Sequence, residues 1–162
     1  MMVRFTVPGE PIGKGRPKFR RVGQYTQTYT PKKTVEYENL VRLQYQLSCK
    51  GTYFDDDANL FIHVNCYMSI PQSTSKKKRQ EMMNGKIRPL KKIDWDNAGK
   101  IIADALNGVA YKDDSHIVDG RVVKFYSERP RCEVIIADHE ITQPLIGSMK
   151  AEEVKQNEKD AD

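Results

Sequence analysis

Apolar side chains recur along this chain at two spacings, and each change of spacing marks an element. Val3, Phe5 and Val7 alternate with Arg4 and Thr6, the period of a strand, until Pro8-Gly9 and Pro11 interrupt it. Residues 59–70 give the clearest strand: Leu60, Ile62, Val64, Cys66 and Met68 fall on one side, and Phe61, His63, Asn65 and Tyr67 on the other. Residues 117–125 and 132–136 read as two further strands, an antiparallel pair joined around Glu128-Arg129-Pro130. Polar and aromatic residues alternate over 24–30, a hairpin or edge strand that stops at Pro31, and the stretch before it reads as a long polar loop.

Three segments switch to the helical period. Thr34 caps a helix to about Leu47, with Tyr37, Leu40, Val41, Gln44 and Leu47 on one stripe and Lys50-Gly51 ending it. Ser73 or Ser75 caps a short basic helix from Lys76 to Met83, closed by Gly85. Asp94 or Asp96 caps a third, running to about Leu106 before Asn107-Gly108 turns the chain; Ile101, Ile102, Ala105 and Leu106 form its buried side. Strands and helices together predict the α/β class in its α+β form, a small mixed sheet with helices packed against it. Periodicity fades from residue 141, and acidic residues outnumber lysines there, so the expected domain is 1–140 with a polar, partly disordered tail over 141–162.

A chain of 162 residues has room for one hydrophobic core, and no shift in composition divides it. Its net charge of +5 points to an anionic partner. The distribution is more informative than the sum. Residues 14–33 contain seven Lys or Arg and no acid, and residues 76–92 contain eight against Glu81 alone. Cys49, Cys66 and Cys132 are odd in number and lack zinc-ligand spacing, so they read as reduced, mostly buried thiols. With no run of eighteen apolar residues and no signal-like start, the expected location is the cytoplasm, with no membrane partner. Gly13-Lys14-Gly15-Arg16 has the composition of a phosphate loop but neither its spacing nor its Lys-Ser/Thr ending, which excludes that motif.

The chemistry concentrates in one short stretch, Asp94, Asp96 and Lys100, followed by Asp113-Asp114. Clustered carboxylates repel one another unless a cation holds them, and hard oxygen donors suit magnesium. Lys100 lies one helical turn beyond Asp96, within reach of a phosphoryl oxygen or a carboxylate. Asp104 is four residues further on, adjacent to Lys100 and its natural ion-pair partner. One of Asp113 and Asp114 is expected in the site and the other as a support or cap, since neighbouring side chains of an extended segment diverge. Each piece also has an ordinary reading: an N-cap, a surface charge, a turn. The two basic stretches shift the balance, because an enzyme with acidic groups must still attract a polyanion. Lys14, Arg16, Lys18, Arg20 and Arg21, and Lys76, Lys77, Lys78, Arg79, Lys91 and Lys92, are the expected phosphate contacts. Of the histidines, His116 beside the acidic pair is the one candidate for function.

Ile93-Asp94-Trp95-Asp96-Asn97-Ala98-Gly99-Lys100, then Asp104-Ala105-Leu106-Asn107-Gly108 and Tyr111-Lys112-Asp113-Asp114-Ser115-His116, resembles the RusA-type Holliday junction resolvases. The early Gly9-Glu10-Pro11, Lys14-Gly15-Arg16-Pro17 and Tyr29-Thr30-Pro31 are similar to the same family. The resemblance implies a homodimeric endodeoxyribonuclease that nicks a four-way DNA junction symmetrically and leaves 5′-phosphate ends. It implies Asp94, Asp96 and Asp114 as ligands of Mg2+, with Mn2+ as a substitute, Asp113 as their acidic neighbour and Lys100 as the stabiliser of the phosphoryl transition state. Apolar residues on the open side of 59–70 or of the last two strands are candidates for the dimer interface. Two alternatives stand beside this: a nuclease for other branched DNA, and a non-catalytic branched-DNA or RNA binding module.

Overall fold

The computed structural model describes residues 1–90 and 93–141, so the expected tail lies, from residue 142 onward, outside the described residues. A four-stranded sheet is built from β1 (Met2–Pro8), β4 (Leu60–Ser69), β5 (Ile117–Ser127) and β6 (Arg131–Ala137), in the order β1-β6-β4-β5. β6 runs antiparallel to both β1 and β4, whereas β4 and β5 are parallel, so the sheet is mixed. A second, two-stranded sheet pairs β2 (Lys18–Val22) with β3 (Tyr25–Tyr29).

β4 takes an interior lane because both its faces are apolar enough to be covered; residues 60 and 62–68 are all buried. That lane corrects one expectation. β5 and β6 run in opposite directions but are not a hairpin, because β4 lies between them and pairs with each. Two strand spacings amount to about 10 Å, and the three residues of Glu128-Arg129-Pro130 are just long enough to cross the end of β4. The parallel β4/β5 pair in turn requires a long crossover, which carries two helices.

Helix α1 (Lys32–Cys49) packs across β1, α2 (Lys76–Met83) lies against β5, and α3 (Trp95–Leu106) fits between α1 and β5. The buried stripe of α1 is Thr34, Tyr37, Glu38, Val41, Tyr45 and Cys49. Gln44 and Leu47 were expected there, but Leu47 is 68% exposed. Tyr45 and Cys49 continue the four-residue row of Tyr37 and Val41, and Tyr45 meets Phe5 of β1 edge to face at 5.4 Å. Helix α1 also begins two residues earlier than Thr34, with Pro31 in the capping position. Ser75 caps α2 by accepting from the Lys78 amide.

The main core lies between the helices and one face of the sheet, where Ile101, Ile102 and Leu106 meet Leu60, Val64, Cys66 and Met68. All three cysteines are buried and free. β2 occupies a segment expected to be loop. Every residue of β2 and β3 is exposed, so no apolar alternation was available to reveal β2; pairing with β3 alone defines it, through a two-residue turn with Gly23 at φ 62°.

Gly99 sets how closely α3 approaches β5, since a Cβ there would lie 2.8 Å from Val122 Cγ2. The helix-propensity gain of about 1 kcal/mol for Gly99→Ala is then outweighed by an overpacking cost of about 1–3 kcal/mol. Thermal unfolding should show the variant less stable than wild type, with part of the loss recovered when Val122→Ala is added. A stabilised Gly99→Ala would mean that the contact relaxes freely.

Candidate active site

The turn bearing Asp94 and Asp96 is held in place by three hydrogen bonds. Lys124 of β5 donates from Nζ to the Ile93 carbonyl at 3.1 Å, and Trp95 donates from Nε1 to the Val122 carbonyl at 3.0 Å. From the opposite side the Lys14 amide donates to the Asn97 carbonyl at 2.9 Å. These bonds use backbone acceptors and aliphatic contact, which leaves the carboxylates outside the fastening. Asp94 is the N-cap residue of α3, yet its side chain makes no capping bond; it accepts instead from Asn97 Nδ2 at 3.5 Å. Asp94, Asp96 and Lys100 are all exposed.

Asp96, Lys100 and Asp104 follow one another at four-residue intervals and so form a row along one face of α3. The far end of that row meets Asp114. Tyr111, buried, donates its hydroxyl to the Ala103 carbonyl at 3.0 Å, and this brings the next turn of chain back against α3. Asp113 then accepts from the Ser115 amide at 3.0 Å and caps a short 3-10 turn over Asp114–His116. A hydrogen bond with the Ser115 side chain, then this amide bond, and a smaller contribution from His116 hold the Asp113 carboxyl below its usual range. The division of labour within the acidic pair follows: Asp113 orients the turn and Asp114 faces α3.

Asp114 is half-buried, and its carboxyl is pushed above its usual range, first by desolvation, then by the charges of Asp104 and Asp113 and by a hydrogen bond with Asp104. Lys100 opposes the shift. Carboxyl oxygens are therefore crowded at one edge of α3, and Lys100 only partly offsets them at Asp114, the electrostatic condition under which a hard divalent cation is favoured. The donor set fits such an ion. Among the described residues, however, no three His, Cys, Asp or Glu side chains are already gathered about one point.

Lys14 departs from its expected role. Its ammonium is turned inward against Glu38 of α1 and, at 2.9 Å, Asp104 of α3, so it is occupied by carboxylates instead of facing solvent for a phosphate. Arg42 approaches Glu38 from the other side and donates from Nε to the Ala105 carbonyl at 2.9 Å. Gly15 allows this loop to lie flat on α1: its amide donates to Thr34 Oγ1, which a Cβ at Gly15 would approach to 2.6 Å. Glu38 was absent from the residues singled out in the sequence, and Asp104 had been assigned to Lys100. Their partner lies far away in the chain, so no local spacing reports it.

The remaining basic candidates divide by element. Arg16, Lys18, Arg20 and Arg21 are exposed on the loop and on β2, and Arg20 donates twice to Gln27 Oε1, at 2.9 and 2.8 Å. Lys76, Lys77 and Lys78 are exposed on the first turn of α2, whereas Arg79 is bound to Glu128 at 3.2 Å and ties α2 to the β5–β6 connection. Lys91 and Lys92 lie outside the described residues.

This mixed α+β body, with its row of carboxylates and lysine beside two basic segments, matches a family of DNA endonucleases. The chain is a member of the RusA family: the model described as Endodeoxyribonuclease RusA matches residues 8–137. The chain is also similar to the uncharacterized protein YqaN of Bacillus subtilis (strain 168), 38% identical over 136 residues, which are 84% of this chain and 96% of that protein.

Two measurements check this geometry. Lys14→Met takes the cation from the partly buried Asp104 and leaves Glu38 with Arg42 alone, at a cost of roughly 1–3 kcal/mol; urea unfolding should show a lower midpoint, recovered in part by Lys14→Arg. An unchanged midpoint would remove the clamp from the account. The second concerns pH. A carboxyl whose folded pKa is raised contributes stability that is present below the unfolded value and lost as pH rises through the folded one. In chelator, wild type should therefore lose stability relative to Asp114→Asn as pH climbs out of the ordinary carboxyl range, and a divalent ion should restore it. Parallel pH profiles for the two proteins would contradict the shift.

Proposed function

We propose that this chain is a magnesium-dependent, structure-selective endodeoxyribonuclease that resolves four-way DNA junctions by paired nicks, acting as a homodimer in the cytoplasm during recombination and repair. The single observation that carries the reading is the crowding of Asp104 and Asp114 beside Lys100, on a body whose RusA family is one of DNA endonucleases.

In this reading Asp94, Asp96 and Asp114 hold the ion, with Mn2+ able to replace Mg2+. The chemistry such an ion would supply is a lower pKa for a water beside it and an offset for charge on the phosphoryl group. Asp104, whose own charge is balanced by Lys14, hydrogen-bonds Asp114 and fixes the direction of its carboxyl. Asp113 sets the 3-10 turn from which Asp114 projects. Lys100 donates to a non-bridging phosphate oxygen as charge develops there, which contributes most in the transition state. The products carry 5′-phosphate and 3′-hydroxyl ends.

Acidic groups repel the polyanion they act on, and the cations around them overcome that repulsion. Arg16, Lys18, Arg20 and Arg21 on one segment and Lys76, Lys77, Lys78 and Arg79 on another supply phosphate contacts, joined by Lys91 and Lys92. Symmetric nicking requires two centres related by a two-fold axis, hence two subunits. The sheet face opposite the helices is the surface we assign to the partner subunit. On it Tyr67, itself buried within the subunit, stacks on Phe125 at 5.2 Å, and Arg131 and Arg88 lie over the two rings.

The test is cleavage of labelled four-way and linear duplexes with magnesium or chelator. Asp96→Asn should lose cleavage by several orders of magnitude and keep junction binding. Lys100→Ala should slow cleavage at saturating protein more than it weakens binding. Junction affinity should fall steeply with salt. Full nicking by Asp96→Asn would remove that residue from the catalytic set, and binding without cleavage by wild type in magnesium would leave a branched-DNA binding module.

A further inference from the structure

Among the described residues the β2–β3 hairpin is paired only with itself and is exposed on both faces. Its register assigns every side chain to a face. Lys18 with Tyr29, Arg20 with Gln27, and Val22 with Tyr25 share one face; Phe19 with Thr28 and Arg21 with Thr26 share the other. The apolar members stand in solvent: Tyr25 is 81% exposed, Phe19 71% and Val22 52%. A two-stranded ribbon is marginal without something to pack on. This one keeps a fixed root, because Gly15 and Thr34 at its base are hydrogen-bonded to each other beside the Lys14 clamp.

Its composition selects the partner. Lys18, Arg20 and Arg21 are accompanied by no acid anywhere in residues 11–35. A second copy of this chain would bring the same positive arm, whose like charges oppose pairing, whereas a polyanion complements it. Aromatic rings interleaved with guanidinium groups suit nucleic acid, with rings against base faces and cations against phosphates. In linear duplex each base face is covered by its neighbour. At a branch point the terminal pair of each arm exposes its face, and a wedge at the tip of a ribbon reaches it.

We propose that the β2–β3 hairpin is a branch-point probe, in which Tyr25, backed by Val22 at the turn, stacks on the exposed base pair while Lys18, Arg20 and Arg21 hold the flanking phosphates. This makes Tyr25 a determinant of branched over linear DNA, and it rests on the DNA reading above.

The experiment measures binding of the full-length protein in chelator to a four-way junction and to a linear duplex of equal length, with 2-aminopurine at the branch point. Tyr25→Ala should weaken junction binding about tenfold, leave duplex binding within about twofold, and abolish the fluorescence change; Tyr25→Phe should restore all three. Unchanged junction binding, or equal losses on both DNAs, would overturn the probe. So would an altered mass of Tyr25→Ala in sedimentation, which would place the hairpin between subunits. Failure of wild type to bind either DNA would overturn the functional reading itself, whereas normal wild-type binding with an indifferent Tyr25→Ala would overturn this inference alone.

Discussion

A single ammonium group joins the parts of this molecule that chemistry requires to stay together. Lys14 extends from an otherwise irregular loop and meets Glu38 on α1 and Asp104 on α3, while its own amide bonds to Asn97 in the first turn of α3. Both carboxylates are largely withdrawn from water, so the pairing operates at a lower dielectric than a surface ion pair and is correspondingly costly to break. Remove that cation and Asp104 faces Asp114 with no compensating charge on its other side. The raised carboxyl of Asp114 is thus the residue of a balance in which burial and acidic neighbours outweigh Lys100.

This arrangement resolves a conflict built into any acidic site that works on DNA. The carboxylates must crowd together, yet the polyanion must approach them. Within the body, one half-buried lysine restrains the crowd from behind; in the reading proposed above, the exposed basic segments of β2 and the first turn of α2 supply attraction from in front. Because those segments are exposed, their effect weakens with salt, while the clamp, being partly buried, is screened much less. Attraction and organisation therefore respond differently to the same ionic conditions.

The sheet distributes these roles in space. One face is sealed by α1 and α3 and forms the main core. The other carries aromatic rings capped by arginines, a surface that is neither a dry core nor an ordinary solvated face. The β2–β3 hairpin stands apart from both. It is anchored at its root near the clamp, and every residue of both strands is exposed.

Much of the fold was legible locally. The period-two run of β4, the serine cap of α2, and the boundaries and apolar side of α3 follow from residues close in sequence, because periodicity records which side of an element is apolar. The acidic turn was legible for the same reason: its members are near neighbours in the chain or share one helix face. Periodicity does not record which element covers an apolar side. It could not show that β4 separates β5 from β6, that Tyr45 and Cys49 replace Gln44 and Leu47 in the stripe of α1, or that exposed β2 is a strand at all. Nor could it show Lys14 turning from the solvent to Asp104, since an ion pair between distant segments exists only once packing has brought them together and excluded water. The sequence determined which groups this protein has available and the elements that bear them; the tertiary structure decided which charges meet, because burial and proximity, and not residue type, set what each charge is worth.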